Sequence, residues 1–517
     1  MLIKKNALPV IMLGLSAVAS VHADDARNLG ELRATTRGLI ESLVEQGALT
    51  RHKADELLKQ IDAQEPPPAG TAVPAVDDPS VVRVPYVPET VKKEIIEEIK
   101  KDVIVQGRRE RWSKPGPTPD WINRFRLEGD FRLRYHADRF EENNFPFVLN
   151  TLEINRAQDI SRVSAPFLNT TEDRDRFRLR ARLNLLAEVT DNISAGFRLT
   201  TGNNTDPVST NQTLGNTGNR YSVMFDQAYL KADPYAWLTI VGGRVPNPWF
   251  GTDLVWDIDL NFDGVAVLTK PKIRENFTPF FTIGAFPLQE VELSSRDKWL
   301  YGAQLGADWG GDKVKTKFGV AYYDYRNITG VRNALNSHLN DFTAPQFVQK
   351  GNTLFNISQD AARPDLYALA AEFREINVTA MLDIGVFDPV HVIFTADYVK
   401  NLAFDQRKIA QKNQVTNSDP GDEAYMVKID VGHARIKDRH DWQAFAGYKY
   451  LESDAVFDAF TDSDFYLGGT NAQGWILGAN YGVAKNTWCT LRWMSANEIK
   501  GPPLGIDVLF LDLNVKF

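Results

Sequence analysis

The residues of this chain best suited to binding chemistry are arginines that recur at every second position. Arg132 and Arg134 belong to one such run, and four arginines between residues 176 and 182 form another. A guanidinium group keeps its charge in proteins and forms paired hydrogen bonds with carboxylates and phosphates. Because side chains two positions apart share one face of a β-strand, the spacing predicts a positively charged face on a sheet. The candidate residues of this face, with the acids between them, are Arg126, Glu128, Asp130, Arg132, Arg134, Arg176, Arg178, Arg180, Arg182 and Arg198.

The segments that carry these arginines have the pattern of strands with two different faces. From Phe125 to Tyr135, and again from Phe177 to Val189, apolar side chains alternate with polar ones. A tilted strand crosses a membrane in about 9 to 11 residues, which both runs can supply. The mean hydropathy of −0.31 resembles that of a soluble protein. Strands that face lipid on one side and water on the other average to such a value, so the pattern favours membrane-crossing strands.

Connections between the predicted strands alternate between tight turns and long polar loops, which is typical of a transmembrane barrel. Tight turns are predicted at Asp191-Asn192, Asp233-Pro234, Gly310-Gly311-Asp312, Asp388-Pro389 and Lys485-Asn486. Long loops are predicted at 137–175, 202–222, 246–258, 287–298, 326–365, 401–422, 454–471 and 497–504. We therefore predict an all-β membrane protein, an antiparallel transmembrane β-barrel of about 16 strands.

A small periplasmic α-helical segment is predicted before the barrel. Residues 1–23 combine two lysines, an apolar stretch and small residues at a cleavage site, which is typical of a secretory signal peptide. Helical periodicity predicts a helical hairpin at 24–64. After a proline-rich linker at 65–89, a charged helix and connector are predicted at 90–118. The period then changes to two, so the barrel is assigned to 119–517.

Charge and cysteine content limit the possible partners. The chain has a formal net charge of −8, and loss of residues 1–23, with two lysines and no acid, would make it −10. Nucleic-acid-binding surfaces are basic, so we expect no nucleic-acid partner. Cys489 is the single cysteine, so the chain cannot form an internal disulfide. A closed barrel would instead be held by its hydrogen-bond ladder.

The last predicted strand, from Asp507 to Phe517, has an apolar face that includes Leu513, Val515 and Phe517. A final amphipathic strand with a terminal aromatic residue resembles the signal that the barrel-assembly machinery reads. We therefore expect that machinery and outer-membrane lipid as partners. The alternative is an ordinary amphipathic strand that stops at phenylalanine.

In a closed barrel the arginine face would line the water-filled interior, so the candidate residues are predicted to be pore-lining. Charges stacked on adjacent strands would act on passing ions. The alternative is that the arginines pair with Glu128, Asp130 and Glu188 or lie near the barrel mouths. Acids from the loops at 246–258 or 326–365 could also face the arginines and leave any selectivity weak.

Three further features favour surface structure over chemistry. The acids Asp454, Asp458, Asp462 and Asp464 lack the order and glycine of a calcium-binding loop, so a solvated acidic loop is favoured and no metal or other cofactor is expected. The tract 203–219 is rich in Asn, Thr and Gly and predicts a surface loop. Tryptophans near predicted strand ends, Trp249 and Trp256 among them, are candidates for aromatic girdles at the membrane interface.

The sequence contains no recognisable catalytic motif. The motifs HExxH, GxSxG and CxxC are absent, and the histidines are scattered. Catalysis needs a nucleophile, a base and an orienting group within reach of one another. We therefore expect no catalytic residue. An outer-membrane barrel enzyme and a plugged structural or adhesive barrel are the alternatives to a barrel with an open, water-filled pore.

Several segments of the chain resemble the putative porin family of Gram-negative bacteria. They are Val82 to Glu89, Pro119-Asp120-Trp121, Arg126 to Tyr135, Arg176 to Arg180 and Asp226 to Leu230. The resemblance covers nearly the whole chain after the signal peptide. It implies a barrel in the outer membrane, a channel for passive diffusion of small hydrophilic solutes or ions, and a homo-oligomer, with a trimer as the common form of sixteen-stranded porins.

Overall fold

The computed structural model describes residues 122–517, except residues 293, 312 and 413–414. The predicted signal peptide (1–23), helical hairpin (24–64), proline-rich linker (65–89) and charged helix with its connector (90–118) lie outside the described residues. The barrel assigned to 119–517 lies almost entirely within them.

Sixteen antiparallel strands form one closed sheet, which confirms the predicted barrel. Each strand pairs with its neighbours along the chain, and β16 pairs with β1 to close the sheet, with Phe131 opposite Val515. The strands are β1 Phe125–Phe140, β2 Arg174–Thr190, β3 Ile193–Thr200, β4 Met224–Tyr235, β5 Leu238–Pro246, β6 Asn261–Thr269, β7 Phe277–Gln289, β8 Lys298–Gly310, β9 Val314–Arg326, β10 Arg374–Phe387, β11 Val390–Asn401, β12 Glu423–His433, β13 Trp442–Leu451, β14 Ala472–Ala484, β15 Thr487–Glu498 and β16 Gly505–Lys516.

Alternation along each strand separates an outer apolar face from an inner polar face. On β1, the outward Phe131 and Leu133 are 40% and 38% exposed, whereas the inward Arg132 and Arg134 are 7% and 1% exposed. An apolar residue can remain uncovered on the outside of the barrel because lipid is its solvent there. The period of two therefore decides which side chains face the interior.

Long loops and short connections alternate around the barrel, so the long loops share one end. The long loops are residues 141–173, 201–223, 247–260, 290–297, 327–373, 402–422, 452–471 and 499–504. Several predicted boundaries are wrong, among them the start of the first loop, because β1 continues to Phe140. The fifth loop runs past 365 because its apolar end, including Leu366 and Phe373, packs in a loop core and not in a strand. The turn predicted at Asp233-Pro234 comes later, because β4 continues to Tyr235.

The long loops contain short regular elements. Two helices, α1 Thr151–Ala157 and α2 Gln406–Ala410, lie in the first and sixth loops. A two-stranded ribbon pairs Leu354–Asn356 with Tyr367–Leu369 inside the fifth loop, and Gln212–Thr213 adds to the edge of β2. Neither helix in the described part of the chain has the length and apolarity needed to cross a bilayer.

Residues 247–260, here called the crossing loop, pass through the barrel interior. The backbone N–H of Phe250 donates to Gln304 of β8 at 2.8 Å, and the Thr252 hydroxyl donates to Asp397 of β11 at 2.6 Å. Asp259, at the other end of the loop, reaches the arginines of β2. The crossing loop therefore narrows the interior of the barrel.

An apolar core lies inside one half of the barrel, where the crossing loop meets residues 327–373 and 452–471. The rings of Trp249 and Trp256 pack against Tyr323 of β9, with centroids 5.3 and 4.9 Å apart. The expectation that these two tryptophans belong to a membrane girdle is wrong. A tryptophan close to a strand end in sequence can lie on either side of the barrel wall, and here the loops turn both rings inward.

Candidate functional site

The arginine face predicted from the sequence lies on the inner surface of β1, β2 and β3, and is here called the arginine wall. Strand pairing places Arg132 opposite Arg180 and Arg134 opposite Arg178. Arg182 lies opposite Asp130 in the same register. Because adjacent strands are about 4.8 Å apart, these side chains form one continuous polar surface.

Most of the wall arginines are ion paired with carboxylates. The pairs are Arg134 with Asp464 at 3.1 Å and Asp512 at 2.8 Å, Arg176 with Asp138 at 2.5 Å, Arg180 with Asp130 at 2.9 Å and Asp259 at 3.4 Å, Arg182 with Asp130 at 2.8 Å and Asp259 at 3.1 Å, and Arg198 with Asp226. Buried charges need such partners because desolvation is costly. The partner Asp130 was anticipated from its position in the strand pattern. The loop acids Asp259 and Asp464 were missed as specific partners because their contacts with the wall join segments far apart in the chain.

Arg132 and Arg178 differ from the other arginines of the wall. Within the described part of the chain, neither has a carboxylate oxygen within 4.0 Å. Arg132 donates to the side-chain oxygen of Asn211 at 2.6 Å. The Nε atoms of both arginines are buried without a hydrogen-bond partner. These two guanidinium groups therefore lack a direct ion pair, and Asp464 attracts both of them from beyond 4.0 Å.

Arg126 and Glu128 lie apart from the buried wall. They pair with each other at 2.8 Å, and their side chains are 67% and 56% exposed. Both belong to the first residues of β1, at the end of the barrel opposite the long loops. Their charges are therefore strongly screened by solvent.

The acidic run at residues 454–464 is buried, so the expectation of a solvated loop is wrong. Asp454 and Asp458 are 0% and 1% exposed. Burial raises the pKa of Asp454 to about 6, and hydrogen bonds from Thr353 and Ser453 offset only part of this rise. Burial also raises the pKa of Asp458 to about 7. Asp454 accepts hydrogen bonds from Thr353 at 2.8 and 2.6 Å, whereas both carboxylate oxygens of Asp458 are buried without a hydrogen-bond partner among the described residues. The composition of the loop reveals neither position.

Asp462 and Asp464 belong to the same run and contact the barrel wall. The buried Lys449 of β13 binds Asp462 at 2.8 Å and Asp253 of the crossing loop at 3.1 Å, so it anchors two loops. Burial opposes ionisation of Asp464, but the neighbouring Arg134 and Arg492 outweigh it and hold the pKa of that carboxyl below its usual range. Asp464 therefore faces the arginine wall as an anion. No group of side chains suited to a metal ion occurs among residues the structure describes.

The second-loop tract expected at the surface, 203–219, also turns partly inward. Val208 is 1% exposed and Asn211 is 8% exposed. Asp206 of this loop has a raised pKa, chiefly because it is buried. The polar composition that suggested a surface loop instead supplies hydrogen bonds inside the barrel, such as the one from Arg132 to Asn211.

Two cavities occupy the space between the wall and the inward loops. Their volumes are about 740 and 350 Å³, and both are lined by Asp206, Ser209 and Phe347. The smaller cavity is lined by Arg176 and Arg178 of the wall. The larger cavity reaches the ends of β4 to β8 that adjoin the long loops, where Lys298 and Gln289 line it.

The predicted assembly residues lie where the barrel closes. Leu513 and Val515 face outward on β16, opposite Leu133 and Phe131 of β1. Phe517 exchanges two backbone hydrogen bonds with Gly129, at 2.9 and 3.1 Å. Its ring covers Gly129 so closely that a Cβ atom there would lie 2.4 Å from the ring. The glycine therefore makes room for the last aromatic ring at the seam.

No curated protein matches the chain significantly. Among solved structures, OprB of Pseudomonas putida has a TM-score of 0.43 and 12% identity, over 77% of this chain and 96% of that one. The outer membrane channel DcaP of Acinetobacter baumannii has a TM-score of 0.39 and 12% identity, over 76% of this chain and 97% of that one. The trimer form of the outer membrane protein OmpT of Vibrio cholerae has a TM-score of 0.40 and 9% identity, over 76% and 99%.

A family model gives the identity of the chain more directly. The model described as "Putative porin" matches residues 33–517. The match includes all sixteen strands and every residue of the arginine wall. The chain therefore belongs to this porin family.

Proposed function

We propose that the protein is an outer-membrane porin whose water-filled channel passes small hydrophilic solutes or ions by passive diffusion. The closed barrel with a polar inner face and an apolar outer face carries this proposal. In such a barrel the inner charges contact solute and the outer face contacts lipid. We place the passage between the arginine wall and the inward loops, because the two cavities lie there.

The arginine wall is proposed to act on ions at the level of the crossing loop. Arg180 and Arg182 face Asp259 of that loop, and Arg134 faces Asp464. These charges are in direct contact at 3.1 to 3.4 Å, so no solute passes between them, and each pair acts on a passing ion only as a dipole. Because these pairs compensate one another, the net preference for anions is assigned to Arg132 and Arg178.

Location and partners belong to the same proposal. The exposed apolar outer face suits outer-membrane lipid, and β16 with its terminal Phe517 suits recognition by the barrel-assembly machinery. An even number of strands returns both barrel ends to the short-connection side, which suits a periplasmic N-terminal segment. We propose a homo-oligomer of porin type, with a trimer as the specific expectation, which analytical ultracentrifugation of the detergent-solubilised protein tests.

A plugged structural barrel is the second candidate, because loops demonstrably pack inside. Single-channel recording in a planar bilayer separates the two candidates. A porin gives discrete steps of current when folded protein is added to a potassium chloride solution, and a plugged barrel inserts without steps. The control is the same detergent preparation after heat unfolding. Normal heat-modifiable migration and membrane insertion without current would overturn the channel proposal.

A further inference from the structure

The 350 Å³ cavity at the long-loop end of the barrel combines charged side chains with apolar ones. It is bounded by the part of the arginine wall nearest the long loops, by the first loop and by the inward loops. Cavities of about 300 to 1,000 Å³ hold small organic molecules in proteins. Its volume is therefore sufficient for a compact organic solute.

Besides the exposed Arg174, two cations in this cavity lack a carboxylate partner among the described residues. One is Arg178, whose Nε is buried without a hydrogen bond. The other is Lys350, whose Nζ donates only to backbone oxygens, those of Tyr466 and Gly468, the latter at 2.7 Å. Its Nζ also lies 3.4 Å from the centroid of the Tyr466 ring. Burial lowers the pKa of Lys350 to about 7, so an adjacent anion would favour its charged form.

The acids that line the cavity do not cancel this charge. Asp464 is already paired with Arg134 at 3.1 Å. Asp206 accepts a backbone hydrogen bond from Val208 at 3.1 Å, and it makes no ion pair within the described part of the chain. Burial raises the pKa of Asp206, which favours its neutral form. The cavity therefore retains excess positive charge.

Part of the cavity lining is apolar. Leu152 and Leu168 come from the first loop, Phe347 from the fifth, and Ile506 from β16. A fully hydrated inorganic anion gains nothing from such a surface, whereas the carbon skeleton of an organic anion buries apolar area against it. Charge and apolar surface together select a molecule with a negative group and an apolar body.

We propose that this cavity is a binding site for small organic carboxylates, with Arg178 and Lys350 holding the carboxylate and the apolar part of the lining holding the carbon skeleton. The proposal deepens the channel function and rests on it for its role, since a solute bound here lies next to the arginine wall. The shared chemistry is an anionic group, which a carboxylate or a phosphate could supply, and the apolar part of the lining favours the carboxylate.

Isothermal titration calorimetry on the full-length, detergent-folded protein tests the proposal. The probes are phenylacetate, its neutral isostere phenylacetamide, and inorganic phosphate. Phenylacetate is expected to bind about tenfold or more tightly than the amide, because the neutral amide cannot form an ion pair with Arg178 or Lys350. It is also expected to bind more tightly than phosphate. Equal binding of the amide, or tighter binding of phosphate, would overturn the proposal.

Variants identify the site. Arg178→Gln and Lys350→Gln are each expected to weaken phenylacetate binding by about tenfold or more, and Arg178→Lys to retain most of it. Lys412→Gln is the matched control, because Lys412 is also a loop lysine that donates to a backbone oxygen, Ala370 at 2.9 Å, and lies 4.3 Å from a ring centroid. If Arg178→Gln and Lys350→Gln bind as Lys412→Gln does, the site is wrong.

A conductance measurement on the same protein in potassium chloride distinguishes the carboxylate-site proposal from the channel proposal. Current without phenylacetate binding would remove the carboxylate site and leave the channel. Binding without current would remove the channel and leave the site. If Arg178→Gln fails to fold, the comparison of probes on the unmodified protein still decides the outcome.

Discussion

Removal of the two unpaired wall arginines is expected to shift the ion selectivity of the channel toward cations. The perturbation is the double substitution Arg132→Gln and Arg178→Gln. Both arginines belong to the wall, and neither has a carboxylate within ion-pair distance among the described residues. Their substitution therefore removes positive charge without leaving a specific buried acid unpaired. By contrast, loss of Arg180 would disturb Asp130 and Asp259 as well.

The size of the effect follows from Coulomb's law. A unit charge about 7 Å from a passing ion contributes about 0.6 kcal/mol in water. Screening at about 0.1 M salt, where the Debye length is about 10 Å, reduces this to about 0.3 kcal/mol. Because the anion loses and the cation gains this energy, the anion-to-cation permeability ratio should fall about threefold per arginine and about sevenfold for the pair. The low exposure of Arg132, 7%, places its charge in a less polar medium, so the estimate is a lower bound.

The assay is the reversal potential of single channels across a gradient of potassium chloride. The matched control is Arg435→Gln with Arg439→Gln, which removes the same charge from exposed positions in the connection between β12 and β13. The control should move the reversal potential little, because solvent and salt screen exposed charges. An unchanged reversal potential in the wall variant, or an equal shift in both variants, would refute the assignment of selectivity to Arg132 and Arg178.

Three further outcomes are expected. Lys449→Met leaves two loop carboxylates without their buried partner, at a cost of about 3 to 5 kcal/mol. The control is Lys428→Met, because Lys428 pairs at 2.8 Å with Asp430 of its own strand, β12, and anchors no loop through that pair. Noisier open-channel current is expected in Lys449→Met than in the control, and equally quiet current would contradict the anchoring role. Deletion of Phe517 removes the ring over Gly129 and its backbone pair at the seam, so less heat-modifiable protein should reach the membrane while export continues; normal levels would count against this. Deletion of residues 24–118 should leave a conducting barrel, and failure to fold in detergent would mean that the two parts form one unit.

The sequence by itself determined the barrel and the composition of its wall. Each strand repeats with a period of two, and the pleat of a β-strand converts that period directly into an inner and an outer face. The choice of Arg132 and Arg180 as inward residues followed from this local rule. The same rule placed Leu513 outward, and alternating connection lengths were enough to count the strands.

Only the tertiary structure decided which charges remain free. Asp464 and Arg134 are 330 positions apart, and their ion pair exists because a loop folds into the interior. Loops lack the regular alternation of strands, so their sequence does not indicate whether a side chain points into the barrel or into solvent. The buried Asp454 and a surface aspartate therefore look alike in sequence. The inward packing of Trp256 has the same origin. Contacts between loops and the wall join segments far apart in the chain, so a local sequence pattern does not reveal them.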